Sequence, residues 1–150
     1  MKEVLDAIEK YKSKYRRQNL PALELSGWYD LFPEAPSNFN VEASWSPTSP
    51  WPHGERAGVY FIFGDEGSLL YVGKASVGCI GARLDSYFGY ERATKACRII
   101  EPKAWSHRPR YVAALAVPED MKFEAAGIEE FMIRELRPPL NTVGLRSLAD

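Results

Sequence analysis

Residues 58–74 read GVYFIFGDEGSLLYVGK. Two runs rich in β-branched and aromatic residues flank Gly64-Asp65-Glu66-Gly67, so the stretch predicts an antiparallel hairpin with strands over 57–63 and 68–73. Each strand carries one tyrosine beside a glycine motif, Gly58-Val59-Tyr60 and Tyr71-Val72-Gly73. Successive strand side chains point to opposite faces. Tyr60 and Tyr71 therefore share a face only if Tyr60 pairs with an odd-numbered residue of the second strand. A two-residue turn at Asp65-Glu66 or a four-residue loop pairing Gly64 with Leu69 satisfies that condition. A three-residue loop with a glycine bulge, which Asp65-Glu66-Gly67 suits on turn chemistry alone, separates the tyrosines unless a further bulge resets the alternation.

After the hairpin, Ile80, Leu84 and Phe88 mark a helix over 79–89, and 90–109 is polar and broken by Pro102 and Pro109. RYVAALAV, residues 110–117, predicts a third strand. A second helix spans 121–136 and is stopped by Pro138 and Pro139. The order β-β-α-β-α predicts an α+β fold, a small three-stranded antiparallel sheet flanked by helices. Before it, residues 3–18 predict a helix with Val4, Leu5, Ile8 and Tyr15 along one face. Lys12, Lys14, Arg16 and Arg17 complement the negative end of its dipole. From Leu20 to Arg56 the chain is rich in Pro, Ser, Asn and Trp and predicts an irregular connector, with Trp28, Trp45 and Trp51 laid against a core. Residues 1–57 thus form an N-terminal extension, and 58–150 the main domain.

With 150 residues and 45% hydrophobic content, the chain is one domain's worth of packed globule and not a disordered segment. No apolar run approaches the ~20 residues of a membrane span, and the N-terminus lacks the apolar stretch of a signal peptide. Cys79 and Cys97 form neither a CxxC nor a ligand pair with histidines. Together these features predict a cytoplasmic protein with reduced thiols. The net charge of −1 hides a gradient. Between Gly58 and Arg110 eight Lys and Arg stand against five Asp and Glu, a surplus of +3 suited to tracking phosphates or to an ordinary solvated face.

Helical spacing separates Glu129 from Glu130. Glu130 faces Arg134 one turn on, as in a surface ion pair. Glu129 borders the apolar stripe of Ile128, Phe131, Met132 and Leu136, where a carboxylate needs a compensating cation, Arg83 being one candidate. Arg83 and Tyr87 share one helix face. Taken singly, each of these residues has an ordinary structural reading, and His107 reads as exposed.

Jointly they resemble the GIY-YIG nuclease superfamily over residues 57 to 142. Gly58-Val59-Tyr60 and Tyr71-Val72-Gly73 stand for the two name-giving motifs, with valine replacing isoleucine in both. Lys74-Ala75 follows, as in the nuclease half of the bacterial excision-repair incision subunit. Arg83 and Tyr87 lie on the next helix. Glu129, Arg134, Pro138 and Asn141 close the pattern. The resemblance implies a metal-dependent endonuclease acting on DNA. Glu129 would hold one Mg²⁺ or Mn²⁺, Arg83 would clamp the phosphate, and Tyr60 would serve as general base. Lys74 or Arg83 would lower the phenol's ordinary pKa of about 10. Tyr71 and Tyr87 would position phosphate or water, and Asn141 would tie the closing helix to the sheet. A non-catalytic nucleic-acid-binding module and a sequence-specific restriction-type enzyme are the competing readings. A homodimer is compatible with all three.

Overall fold

In the computed structural model, which describes residues 1–141, the hairpin lies in a six-stranded mixed sheet. Its strands are β4, Gly58–Gly64, and β5, Leu69–Ala75. The third expected strand, β8, spans Pro109–Ala116 and pairs antiparallel with β4. Every residue of β4 and of β8 is buried. Strands covered on both faces read as continuous apolar runs, which is why neither shows a polar alternation.

The sheet is larger than the small three-stranded antiparallel one that the sequence predicts, and it is mixed. The connector supplies β1, Glu24–Leu25, β2, Tyr29–Asp30, and β3, Ala43–Ser44. β1 and β2 both pair antiparallel with β8, and β3 pairs parallel with β2. Strands of two residues carry no periodicity, so the Pro/Ser pattern read as irregular chain. What holds them is side-chain anchoring. Trp28 is buried and stacks on Phe63, with ring centroids 4.9 Å apart. Asp30 pairs with Arg110, whose guanidinium also donates to the carbonyls of Ala35 and Pro36. Arg110 is thereby withdrawn from the basic middle segment, whereas Arg92, Lys95, Arg98, Lys103 and Arg108 stay exposed.

One face of the sheet presents Val59, Phe61, Phe63, Val72, Ala113 and Leu115 to the two long helices. These are α1, Lys2–Lys14, and α3, Glu124–Leu136. α1 buries Val4, Ala7 and Ile8, an i, i+3, i+4 set. It ends before the expected residue 18 because Arg16 turns back to bind Glu124 at 2.6 Å, both side chains 7% exposed. The extension therefore shares its core with the main domain. α3 starts at Glu124, a turn later than expected, after a single 3-10 turn at Glu119–Met121.

The opposite face carries Tyr60, Ile62, Val112 and Ala114 against α2, Ile80–Asp85. The helix expected over 79–89 is short. The chain leaves it at Ser86, whose hydroxyl donates to the Arg83 carbonyl, and a hairpin follows, β6, Phe88–Glu91, with β7, Ala96–Ile99. Phe88 fits the helical stripe by spacing yet reaches the same core from a strand. A 3-10 turn at Pro102–Ala104 leads into β8.

The β4–β5 turn satisfies both local and functional demands. Gly67, at φ +75°, closes the three-residue loop, and the Gly64 amide donates to the Ser68 carbonyl. Phe63 then pairs with Leu69, but Ile62 pairs with Tyr71 and Tyr60 with Gly73. A bulge at Leu70 therefore resets the alternation and returns Tyr60 and Tyr71 to one face.

Candidate active site

Three tyrosines from three elements meet at the outer strand β5. Tyr60 comes from β4, Tyr71 from β5, and Tyr87 from the segment after α2. Their ring centroids lie 5.9 to 6.3 Å apart, and the hydroxyls of Tyr60 and Tyr87 are 3.1 Å apart. The motif glycines make this closeness feasible. At Gly73 a side chain would collide with the Tyr60 ring, which crosses β5 at that point. At Gly58 it would collide with the backbone of Leu115 and Ala116 on β8.

The electrostatics of the cluster follow from burial. Tyr60 is fully buried, and desolvation pushes its phenol above the ordinary value of 10.0, while the Tyr87 hydrogen bond and the Arg83 charge pull it back. Burial likewise raises Tyr71 strongly, with Tyr87 and then the Glu129 charge adding to it. Tyr87 is pushed up to about 12, chiefly by burial and secondly by Tyr60. Arg83 is exposed on α2 and is the cation that opposes the rise at all three rings.

Glu129 projects from α3 on the other face of the sheet and pairs with Lys74, which the alternation of β5 turns toward that helix. The compensating cation is thus Lys74, not Arg83. Glu129 is mostly buried at 16% side-chain exposure, whereas Glu130 is exposed. Asn141 is buried, and its amide forms two hydrogen bonds with Val72, accepting from its N–H at 2.9 Å and donating to its C=O at 2.8 Å. It ties the chain after α3 to β5. The candidate residues thus gather around one strand, with the tyrosines and Arg83 coming from the α2 face, Lys74 and Glu129 from the α3 face with the Glu129 charge still felt at Tyr71, and Asn141 at the strand's outer edge. His107 is exposed, and Cys97 is buried with its thiol pushed up to about 12 by desolvation.

The sequence reading missed Trp105. It stands edge-on to Tyr71 and Tyr87, at 6.4 and 5.8 Å, and stacks on Phe88 at 6.2 Å. A single tryptophan in a Pro-broken polar loop carries no pattern that would have revealed it.

The oxygen-only donors here, one carboxylate with phenols nearby, suit a hard cation such as Mg²⁺, which keeps much of its shell as water and phosphate oxygen. Among the described residues no group of three His, Cys, Asp or Glu side chains is placed to hold a metal. Nor is any described helix long and apolar enough to cross a membrane.

Over 86 residues, 57% of its length, the chain is 35% identical to UvrABC system protein C of Alcanivorax borkumensis. It spans 13% of that protein's length. No family model and no solved structure matches the chain.

Proposed function

We propose that this protein is a metal-dependent endonuclease of the GIY-YIG type that hydrolyses DNA phosphodiester bonds. The observation that carries the reading is the convergence of Tyr60, Tyr71 and Tyr87, from three separate elements, beside an exposed arginine and a mostly buried glutamate. The similarity to UvrABC system protein C supports it. Arg83 is the phosphate clamp, since its planar fork matches two phosphate oxygens and its exposure lets DNA reach it. Tyr60 takes the proton of the attacking water, Tyr87 holding its hydroxyl in place. The Arg83 charge and the Tyr87 hydrogen bond oppose the burial that keeps the phenol neutral without cancelling it, so the lowering expected from Lys74 or Arg83 is not met in the unbound chain and falls to the bound cation. Tyr71 and Tyr87 orient phosphate and water at the half-buried rim. Glu129 holds the cation, which supplies neutralisation of phosphate charge when bound. Lys74 keeps the Glu129 carboxylate compensated in its absence. Asn141 fixes α3, and so Glu129, against β5.

The experiment compares Glu129→Gln with Glu130→Gln on supercoiled plasmid, branched DNA and RNA, with Mg²⁺, with Mn²⁺ and with chelator. The expected result is metal-dependent cleavage of DNA that Glu129→Gln abolishes and Glu130→Gln leaves within a few-fold. Equal loss in both variants removes Glu129 from its assigned role. The Lys74–Glu129 ion pair favours a second reading, a binding module in which the carboxylate is permanently satisfied. DNA binding without cleavage under all three conditions selects that one.

A further inference from the structure

A cleft of about 360 Å³ opens beside the tyrosine cluster, walled by Tyr71, Tyr87 and Trp105 and edged by Ser86 and Glu101. Resting on the nuclease reading above, we infer that this cleft seats a single nucleobase of an unpaired nucleotide next to the scissile phosphate, so that the substrate class is single-stranded or locally unpaired DNA. The chemistry of the walls separates base from phosphate. Among the described residues the charged side chain lining the cleft is Glu101, and neither lysine nor arginine lines it, so an anion is disfavoured there. Arg83 carries the positive charge instead, on α2, and its carbonyl accepts from the hydroxyl of the lining Ser86. Phosphate and base therefore have adjoining but distinct seats.

The aromatic wall is braced for stacking. Trp105 lies nearly parallel to Phe88, at 22°, and Phe88 is itself 2% exposed, so the indole is backed by core. Tyr71 and Tyr87 present their rings at 85° and 75° to it, closing two sides of a box. Aromatic faces bind any base, which suits a site selective for unpairing over sequence. Glu101 adds an acceptor for an exocyclic amino group. The volume lies at the small end of ligand pockets, room for one base and not for a paired stack. A base reaches such a cleft only when it is out of the duplex.

The test uses the full chain in chelator, titrated against a short oligothymidylate carrying one 2-aminopurine. The same strand is also used fully paired, and as an abasic strand of the same length carrying no base at all. Wild type is expected to quench the 2-aminopurine and to bind the unpaired strand more tightly than the abasic one. Trp105→Ala should weaken the unpaired strand at least about fivefold while leaving duplex binding unchanged. Trp105→Phe, which keeps a ring against Phe88, should retain most of the affinity and guards against a folding artefact. Equal losses on duplex and unpaired strand in Trp105→Ala overturn the assignment. So does a wild-type protein that binds the base-free strand as tightly as the base-bearing one, because the cleft is then a phosphate seat. Cleavage of the same strands in Mg²⁺ separates the two readings. Binding of the unpaired base with no cleavage of any strand overturns the nuclease assignment and upholds the base seat.

Discussion

Gly73→Ala places one methyl group where the ring of Tyr60 crosses β5. That carbon would lie 2.7 Å from Tyr60 Cε2, and nearer still to Cζ and Oη. Non-bonded carbons sit at about 3.5–4.0 Å, so the ring must retreat by roughly 1 Å or the strands must part. Tyr60 is fully buried, with the Tyr87 hydroxyl 3.1 Å away and the Tyr71 ring alongside, so it has no free volume to enter. The overpacking should cost about 1–3 kcal/mol of stability. If Tyr60 is the base, a shift of that size should also lower cleavage about 100-fold. Urea denaturation and plasmid cleavage, run on the same preparation, measure the two effects. Adding Tyr60→Leu to Gly73→Ala should recover stability, because the clash is gone, but not activity, because the hydroxyl is gone too. A Gly73→Ala protein within about 0.5 kcal/mol of the parent and fully active refutes the reasoning.

Arg83→Lys should damage cleavage nearly as much as Arg83→Ala, since a point charge does not replace a two-pronged contact. A lysine variant with most of the activity reduces Arg83 to a general electrostatic aid. Asn141→Leu removes both side-chain hydrogen bonds to Val72 and should lower stability by about 1–3 kcal/mol in thermal or urea unfolding. No measurable change would mean that water replaces them freely. The phenols of Tyr60, Tyr71 and Tyr87 are all raised by burial, so the folded state prefers them neutral. Their contribution is complete below pH 10 and fades as pH rises through about 12, the value of Tyr87. Stability should therefore fall above pH 10, with phenolate absorbance of the folded chain lagging behind that of the unfolded chain. Coincident titration of the two states would contradict this.

How much of this could be read beforehand depended on whether a feature was local. β4, β5 and β8 are apolar runs bounded by turn residues, and α3 ends at two prolines, so each declares itself within a dozen residues. β1 to β3 do not, because two-residue strands are created by the edge they pair with. Phe88 shows a subtler failure. Its spacing from Leu84 satisfies a helix, yet the backbone breaks at Ser86 and delivers the same ring to the same core from a strand. In the candidate site, the residues themselves were legible through their joint spacing, but not their division between two faces. That division comes from the Leu70 bulge and the pleat of β5, which send Tyr71 one way and Lys74 the other. The partner of Glu129 was misjudged for the same reason, since Arg83 stands on the far side of the sheet. Trp105 was invisible because its importance lies wholly in neighbours distant in sequence.

The short tail of contacts after α3 also governs how this molecule behaves in company. Among the described residues β5 ends the path of the sheet, and an outermost strand offers its unpaired amides and carbonyls to any other chain of suitable shape. Here the donor and acceptor of Val72 are occupied by the Asn141 side chain, and the carbonyl of Leu70 by the amide of Leu140. A carboxamide thus mimics the peptide group of a missing neighbour, and two residues do the work of a further strand without lengthening the sheet. Such a plug is easily drawn. Cutting the chain after Pro139 would strip it away and leave a row of idle hydrogen-bonding groups beside Tyr71, turning a self-limiting fold into one prone to recruit its own copies.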